Sequence, residues 1–189
     1  KNMYVNMGNL NKSMSKNLLI VGAGEFAEIA WQYFTHDSEY EVVGFAVEKE
    51  YLTDEKIFDL PVIELEKIEN FFSNEEVWVH IAISSTNLNQ VRERLFFYIK
   101  NKGYKFANYV SSHSFVWNTV ELGENIFIFE NNVLQHGAKI GSGVVLWSGN
   151  HIGHKTEIGD FCFLSSHVVV SGFCKVGARC FLGVNSSLA

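Results

Sequence analysis

From Val110 to Leu188 every sixth residue is aliphatic without a break: Val110, Val116, Leu122, Ile128, Leu134, Ile140, Leu146, Ile152, Ile158, Leu164, Val170, Val176, Leu182 and Leu188. Few folds tolerate so strict a period. Side chains of a strand alternate between its two sides, so a chain that turns a corner every six residues sends one large aliphatic inward per side, together with the residue two before it. That second position must be small to fit a narrow prism. It reads Val120, Ile126, Asn132, Ala138, Val144, Asn150, Thr156, Cys162, Val168, Cys174, Cys180 and Ser186. An amphipathic helix would repeat at three and four, and a sandwich would not keep phase over so many turns. The repeat predicts a parallel β-helix with three short strands per coil.

With three hexapeptides per coil, residues 18 apart stack at the strand spacing of about 4.8 Å, and the outward residues sort by face. On the first face the residue before the aliphatic reads Glu121, Lys139, Glu157 and Lys175, and the residue after it Gly123, Gly141, Gly159 and Gly177. Alternating charges attract across a ladder and keep water, so this face is read as solvent-facing. On the second face the same position reads Phe127, Val145, Phe163 and Phe181, with Phe129 and Trp147 following the aliphatic. Such a column would be a large exposed patch on a single chain, so the expectation is burial against another subunit of a trimer. The third face reads Phe115, Val133, His151 and Val169, and the corner two residues past its aliphatic reads Asn118, His136, His154 and Gly172. His154 thus occupies a Gly-His step at an edge of the prism, with a glycine one coil further whose N–H could face a reacting atom. Asn132 and Asn150 stack inward and are read as an amide ladder.

The pattern changes near Asn108. Before it, Leu18–Val21 is an apolar run, Gly22-Ala23-Gly24-Glu25-Phe26-Ala27 is a glycine-rich turn, and Ile29–Phe34 continues at helical spacing. Tyr40–Val47, Pro61–Ile63 and Val77–Ile83 read as strands, and Ile68–Phe72 and Asn89–Lys102 as helices, the last closed by Gly103. Alternation of this kind implies a parallel sheet with right-handed crossovers and a crevice at the carboxyl ends of its strands. The glycine turn lets a phosphate approach backbone N–H groups at a helix start, and it serves plain helix-on-strand packing equally well. Glu48 is placed either to accept a ribose hydroxyl or to be solvated.

A net charge of −6 and the lack of any Lys or Arg run argue against a nucleic-acid surface. No apolar stretch reaches the roughly 20 residues that cross a bilayer, and no signal peptide opens the chain, which points to a cytoplasmic protein. Cys162, Cys174 and Cys180 all fall on the small inward position and are read as packing residues. Residues 1–13 are read as a leader, 14–107 as the sheet domain and 108–189 as the β-helix. Further coils are expected after Ala189, because an open solenoid edge needs a cap.

Over residues 17–189 the chain resembles bacterial sugar acetyltransferases of the sialic-acid O-acetyltransferase and amino-sugar N-acetyltransferase type. The likeness is carried by Gly22-Ala23-Gly24-Glu25-Phe26-Ala27 and by the run Ser148-Gly149-Asn150-His151-Ile152-Gly153-His154-Lys155-Thr156-Glu157-Ile158-Gly159-Asp160-Phe161. It implies a small Rossmann-like domain that holds a nucleotide-linked sugar through Gly22, Gly24, Glu25, Phe26, Ala27 and Glu48. It also implies a left-handed β-helix that trimerises and holds acetyl-CoA in the groove between neighbouring copies, with Phe163 and Val184 at the cofactor positions. By the same resemblance His154 is the general base, Gly172 supplies the oxyanion donor, no metal takes part, and the product serves surface-polysaccharide synthesis. Neutral imidazole suits removal of a proton from an amine or hydroxyl near neutral pH.

The chain also departs from the family pattern. Lys155 follows the base where Asp or Glu commonly orients it, Phe163 replaces a second histidine, Phe26 stands where histidine is common, and Val47-Glu48 replaces paired aspartates. Two other readings remain open: a non-catalytic nucleotide-binding trimeric scaffold, and a γ-type carbonic anhydrase. The latter needs three histidines on zinc across a subunit boundary, two of them spaced near five. His113, His136, His151, His154 and His167 offer no such pair. An NAD-dependent oxidoreductase is disfavoured by the small size of the first domain.

Overall fold

The computed structural model describes residues 15–189, so the leader expected over residues 1–13 lies outside the described residues. Along the chain come β1 (Lys16–Val21), α1 (Glu25–His36), β2 (Tyr40–Val47), β3 (Lys56–Ile57), β4 (Leu60–Glu64), β5 (Trp78–Ile81), α2 (Gln90–Asn101) and β6 (Lys105–Phe106). They build one sheet in the order β3-β4-β2-β1-β5-β6, parallel except for β3 against β4. Leu18, Leu19, Ile20 and Ile81 are fully buried, because layers cover both faces of the central strands. The connection order reverses between β1 and β5, which opens a crevice beside Gly22.

Several elements differ from the sequence reading, among them the short β3 and a 3-10 turn over Lys49–Tyr51, which were not foreseen. The helix expected over Ile68–Phe72 is instead a 3-10 segment, Leu65–Asn70, interrupted at Lys67. Only Leu65 and Ile68 are buried there, and residues three apart eclipse one another in 3-10 geometry, so one short turn satisfies both. The strand read over Val77–Ile83 runs from Trp78 to Ile81, and the chain leaves the sheet after the Ala82 N–H has bonded to the Val21 carbonyl. β6 was not foreseen. It is two residues long and pairs with β5, too short for its alternation to register.

From Tyr109 onward two-residue strands recur every six residues and stack as a left-handed β-helix, in parallel sheets of five, five and four strands. Each strand is in register with the strand 18 residues later: Phe127 with Val145 and Phe163, Val133 with His151 and Val169, Lys139 with Glu157 and Lys175. Ile128, Leu134, Leu146, Ile152, Leu164 and Val170 are fully buried along the axis. The amide ladder forms. Asn132 Nδ2 donates to the carbonyls of Phe129 (2.7 Å) and Trp147 (2.8 Å), while its Oδ1 accepts the Asn150 N–H (3.2 Å). Asn150 repeats the pattern with Trp147 O and Val168 N, both at 2.7 Å, so two polar groups sit in an apolar prism with their bonds made. On the first face Lys139 pairs with Glu121 at 3.3 Å and Lys175 with Glu157 at 3.1 Å, all four exposed.

From Asn125 to Asn185 each successive corner of the prism holds one residue in the left-handed region, with φ between 54° and 77°. In the early coils these are Asn125, Asn131, Gly137, Gly143 and Gly149, the residue types that accept such angles at little cost. Later corners force Lys155, Phe161, His167, Phe173 and Arg179 into the same conformation.

The second face requires a correction. Around Tyr109, Phe127 and Phe129 its aromatic column is covered by the chain's own α1 rather than left for another subunit, while Phe181 at its far end is 46% exposed. Phe26 meets Phe127 edge-on at 5.4 Å and stacks on Phe129 at 6.2 Å, and Tyr33 and Phe34 pack on Tyr109 and Phe127. Phe127 is fully buried, and Val145 and Phe163 nearly so. Hydrogen bonds from Tyr33 Oη to Glu130 (2.8 Å) and from Tyr109 Oη to Asp37 (2.7 Å) close the seam. Periodicity shows that a face must be covered, but not by which segment.

Candidate functional site

At the β1–α1 turn, Gly22 has φ 128°, and a Cβ there would fall 2.8 Å from the Ala82 carbonyl oxygen. Glycine is therefore required by packing against the loop after β5. Gly24 differs. A Cβ on it would meet nothing within 4 Å, and it caps α1 without a side-chain bond, so open space lies at the helix N-terminus. The N–H groups of Ala27 and Glu28 return to the Gly24 carbonyl, which leaves those of Glu25 and Phe26 pointing forward, beside the Glu25 and Glu28 carboxylates of the first turn. Ala27 is wholly buried and serves the helix packing.

A cavity of about 380 Å³ runs from Gly22 and Gly24 past Val47 and Glu48 to Tyr51, with Ile83 and Thr86 on its far wall. A second, of about 400 Å³, lies on the other side of Gly24, between Glu25, Phe26, Ser84 and the β-helix residues Trp147 and Phe163. Gly24, Ile83 and Thr86 line both. Glu48 is not a solvated strand end: both its oxygens accept from Arg94, at 2.6 and 2.8 Å, and this guanidinium holds the carboxyl below its usual range. The structure thus brings Gly22, Gly24, Glu25, Phe26 and Glu48 to one crevice and adds Phe163 to its β-helix side. Val184 is elsewhere, 63% exposed on the edge between the second and third faces.

His154 sits at the corner between the third and first faces. Its backbone N–H donates to Gln135 Oε1 at 3.0 Å, and its carbonyl accepts from Phe173 N at 2.9 Å. The imidazole lies edge-on to Phe173, with centroids 4.9 Å apart, and against the backbone of Gly172. A Cβ at Gly172 would stand 2.5 to 2.9 Å from three ring atoms, so any larger residue would displace the ring. Among the described residues the Gly172 N–H has no hydrogen-bond acceptor. Lys155 does not orient the imidazole as a carboxylate would, since its ammonium lies 5.5 Å over the Phe173 ring. Packing between Phe173 and Gly172 does that work. One coil back, Thr119 Oγ1 and His136 Nδ1 are 2.9 Å apart.

A corner of a three-sided coil lies opposite the third side. His154, between the third and first faces, is therefore across the prism from the second face, where α1 packs and where Trp147 and Phe163 wall the second cavity. One chain cannot bring them together. Sequence reasoning missed two residues here. Phe173 is one coil beyond Lys155, and Arg92 shares the stripe of Leu95, Phe96 and Ile99, where a charge in a buried helical period was the available signal.

No protein-family model matches the chain, and no curated protein matches it by sequence. Solved structures do. The acetyltransferase domain of PglB from Neisseria gonorrhoeae superposes with a TM-score of 0.79 at 18% identity, covering 91% of this chain and 82% of that one. WeeI from Acinetobacter baumannii gives 0.76 at 20% identity, covering 91% and 80%. PerB from Caulobacter crescentus, solved with CoA and GDP-perosamine, gives 0.62 at 14% identity, covering 92% and 91%. The fold of this chain, sheet domain and β-helix together, is the fold of these proteins. No helix among the described residues is long and apolar enough to cross a membrane.

Proposed function

We propose that this protein is an acyltransferase that moves an acetyl group from acetyl-CoA to a sugar, most directly a nucleotide-linked amino sugar. The observation that carries the proposal is the exposed His154 imidazole seated against the backbone of Gly172, whose N–H has no acceptor of its own. In this reading neutral His154 takes the proton from the acceptor amine or hydroxyl as that atom attacks the thioester carbonyl. The Gly172 N–H donates to the resulting oxyanion, and the CoA thiolate leaves and is protonated. The Gly22–Phe26 turn and the cavity beside Glu48 take the nucleotide, and the cavity walled by Phe26, Trp147 and Phe163 takes the sugar.

Because His154 lies across the prism from that crevice, the reaction needs a second copy to bring its own His154 edge to the acceptor. The third face is fitted for such a contact: Phe115, Trp117 and Val169 are 54%, 49% and 43% exposed. A closed trimer formed through this face completes three identical sites. Val184, on the edge bordering that face, faces the groove between copies in which acetyl-CoA lies. In this reading the protein works in the cytoplasm, where acyl-CoA and nucleotide-linked sugars are at hand, and surface-polysaccharide precursors are the substrates this suits.

Incubation with acetyl-CoA and a panel of nucleotide-linked amino sugars, followed by mass spectrometry, tests the reading. A product heavier by one acetyl group is expected, and His154→Ala should lose on the order of 100- to 10,000-fold in rate while keeping its oligomer. If His154→Ala transfers as fast as the parent, the β-helix is a scaffold and the chemistry is wrong.

A further inference from the structure

Arg92 is among the largest fully buried side chains of the described residues, and no carboxylate neutralises it. Burial pulls its pKa down to about 10, so it remains charged at neutral pH. Every bond it makes goes to a neutral oxygen. Nε donates to Gly143 O at 2.8 Å, and Nη1 to Ile83 O at 2.9 Å and to Ser84 O. Nη2 donates to Asn89 Oδ1 and Phe161 O, both at 3.1 Å, and to Cys162 O at 3.3 Å. One guanidinium therefore ties two successive coils of the β-helix to two successive carbonyls of the loop after β5. Asn89, itself fully buried, adds bonds from Nδ2 to Arg179 O and Cys180 O.

The loop needs such a restraint. Asn87, Leu88 and Asn89 are three consecutive non-glycine residues in the left-handed region, with φ of 49°, 47° and 67°. L residues disfavour this conformation, and it persists only where the surroundings over-determine it. The same loop supplies Ile83 and Thr86, the wall common to both cavities, and Ala82, against which the glycine turn is packed. A leucine or methionine at position 92 would continue the stripe of Leu95, Phe96 and Ile99 without desolvating a charge. Replacing buried charges by apolar residues is often neutral for stability. What an apolar side chain would not supply is a set of directional bonds from the loop to the β-helix.

We infer that Arg92, together with Asn89, is a positioning residue for the acceptor: it holds the 82–89 loop in its left-handed form and so sets the shape of the crevice against the β-helix. Its kinetic consequence rests on the acyl-transfer reading above, but its structural consequence does not. Arg92→Lys keeps the charge yet cannot reach the loop and both coils at once, and Asn89→Gly keeps the φ while removing the amide.

In both variants, hydrogen exchange of the 83–89 amides should quicken at least tenfold while the β-helix core keeps its protection. The KM for the nucleotide-linked acceptor should rise about tenfold, with kcat at saturation and the KM for acetyl-CoA within twofold of the parent. Unchanged loop exchange and unchanged acceptor KM would overturn the inference. So would a uniform loss of kcat and both KM values in step with the melting temperature, which is the signature of a merely structural residue. Should the parent transfer no acyl group at all, the acyl-transfer reading fails alone. Loop exchange and calorimetric binding of GDP and UDP then decide the role of Arg92.

Discussion

The second and third faces of the β-helix are built alike and end differently. Both carry outward apolar side chains, Phe127, Val145 and Phe163 on one and Phe115, Val133 and Val169 on the other, the last two separated by His151, flanking the same row of inward aliphatics. Yet Phe127 is fully buried under α1, whereas Phe115 is 54% exposed. The difference separates a face whose earlier coils are closed within one chain, with Phe181 beyond them 46% exposed, from a face left for a neighbour. Hydrophobic column and hydrophobic cover are separate facts, and only the first is local.

The contrast should be sharpest in stability. Phe127→Ala removes a side chain packed on Phe26, Tyr33, Phe34 and Tyr109, and should lower unfolding free energy by about 3 to 5 kcal/mol. Phe115→Ala, half in water, should lower the stability of a single chain by under about 1 kcal/mol. Chemical denaturation of the two variants compares them directly, and equal losses would mean the faces are not distinct.

Acid should weaken the covered seam next. His80 is buried against Phe34 and Phe127, with Nδ1 donating to the Ala107 carbonyl at 3.0 Å and Nε2 without a partner among the described residues, and burial pushes its pKa down to about 4. The unfolded chain takes up this proton near the ordinary value of 6.5 while the folded chain does not. Folding is therefore favoured above pH 6.5, and stability falls as pH drops from 6.5 towards 4, by up to about 3 kcal/mol. Melting curves across that window should show the slope, and His80→Gln should flatten it.

Association reads the other face. Phe115→Glu with Trp117→Glu should shift sedimentation towards monomer with a melting temperature close to that of the parent monomer. Phe163→Glu, by contrast, should loosen α1 from the coil and lower stability. A Phe163→Glu protein that is fully stable and merely monomeric would reverse the assignment of the two faces. The smallest effect is expected at the corners: Lys155→Asn relieves a left-handed strain beside His154 and should raise stability by under about 1 kcal/mol.

Much of the fold was legible because hexapeptide phase is a local property. The six-residue aliphatic row, the inward asparagine ladder, the alternating charges of the first face and the stacking of Gly172 on His154 all follow from spacing alone, since coils repeat every 18 residues. The glycine turn was equally readable, and the structure sorts its two glycines into one required by packing, Gly22, and one that leaves open surface, Gly24. The pairing of Glu48 with Arg94 escaped notice because these residues are 46 apart in the chain and meet only in the folded domain. Arg92 escaped because its partners are carbonyls, which leave no residue-type signature at any distance.

What repeats along the chain was thus settled by amino-acid order: a prism with strands of fixed phase, a charged face, two apolar faces and a histidine at a known corner. Which apolar face α1 would cover, and that His154 would be turned away from the crevice at Gly24, depended on how the sheet domain docks. That docking is set by aromatic packing and buried hydrogen bonds between segments as far apart as Tyr33 and Glu130, or Asn89 and Cys180. Periodicity constrains a residue's neighbours within its own repeat. The cover on a face comes from outside the repeat, where only shape and unmet hydrogen bonds select the partner.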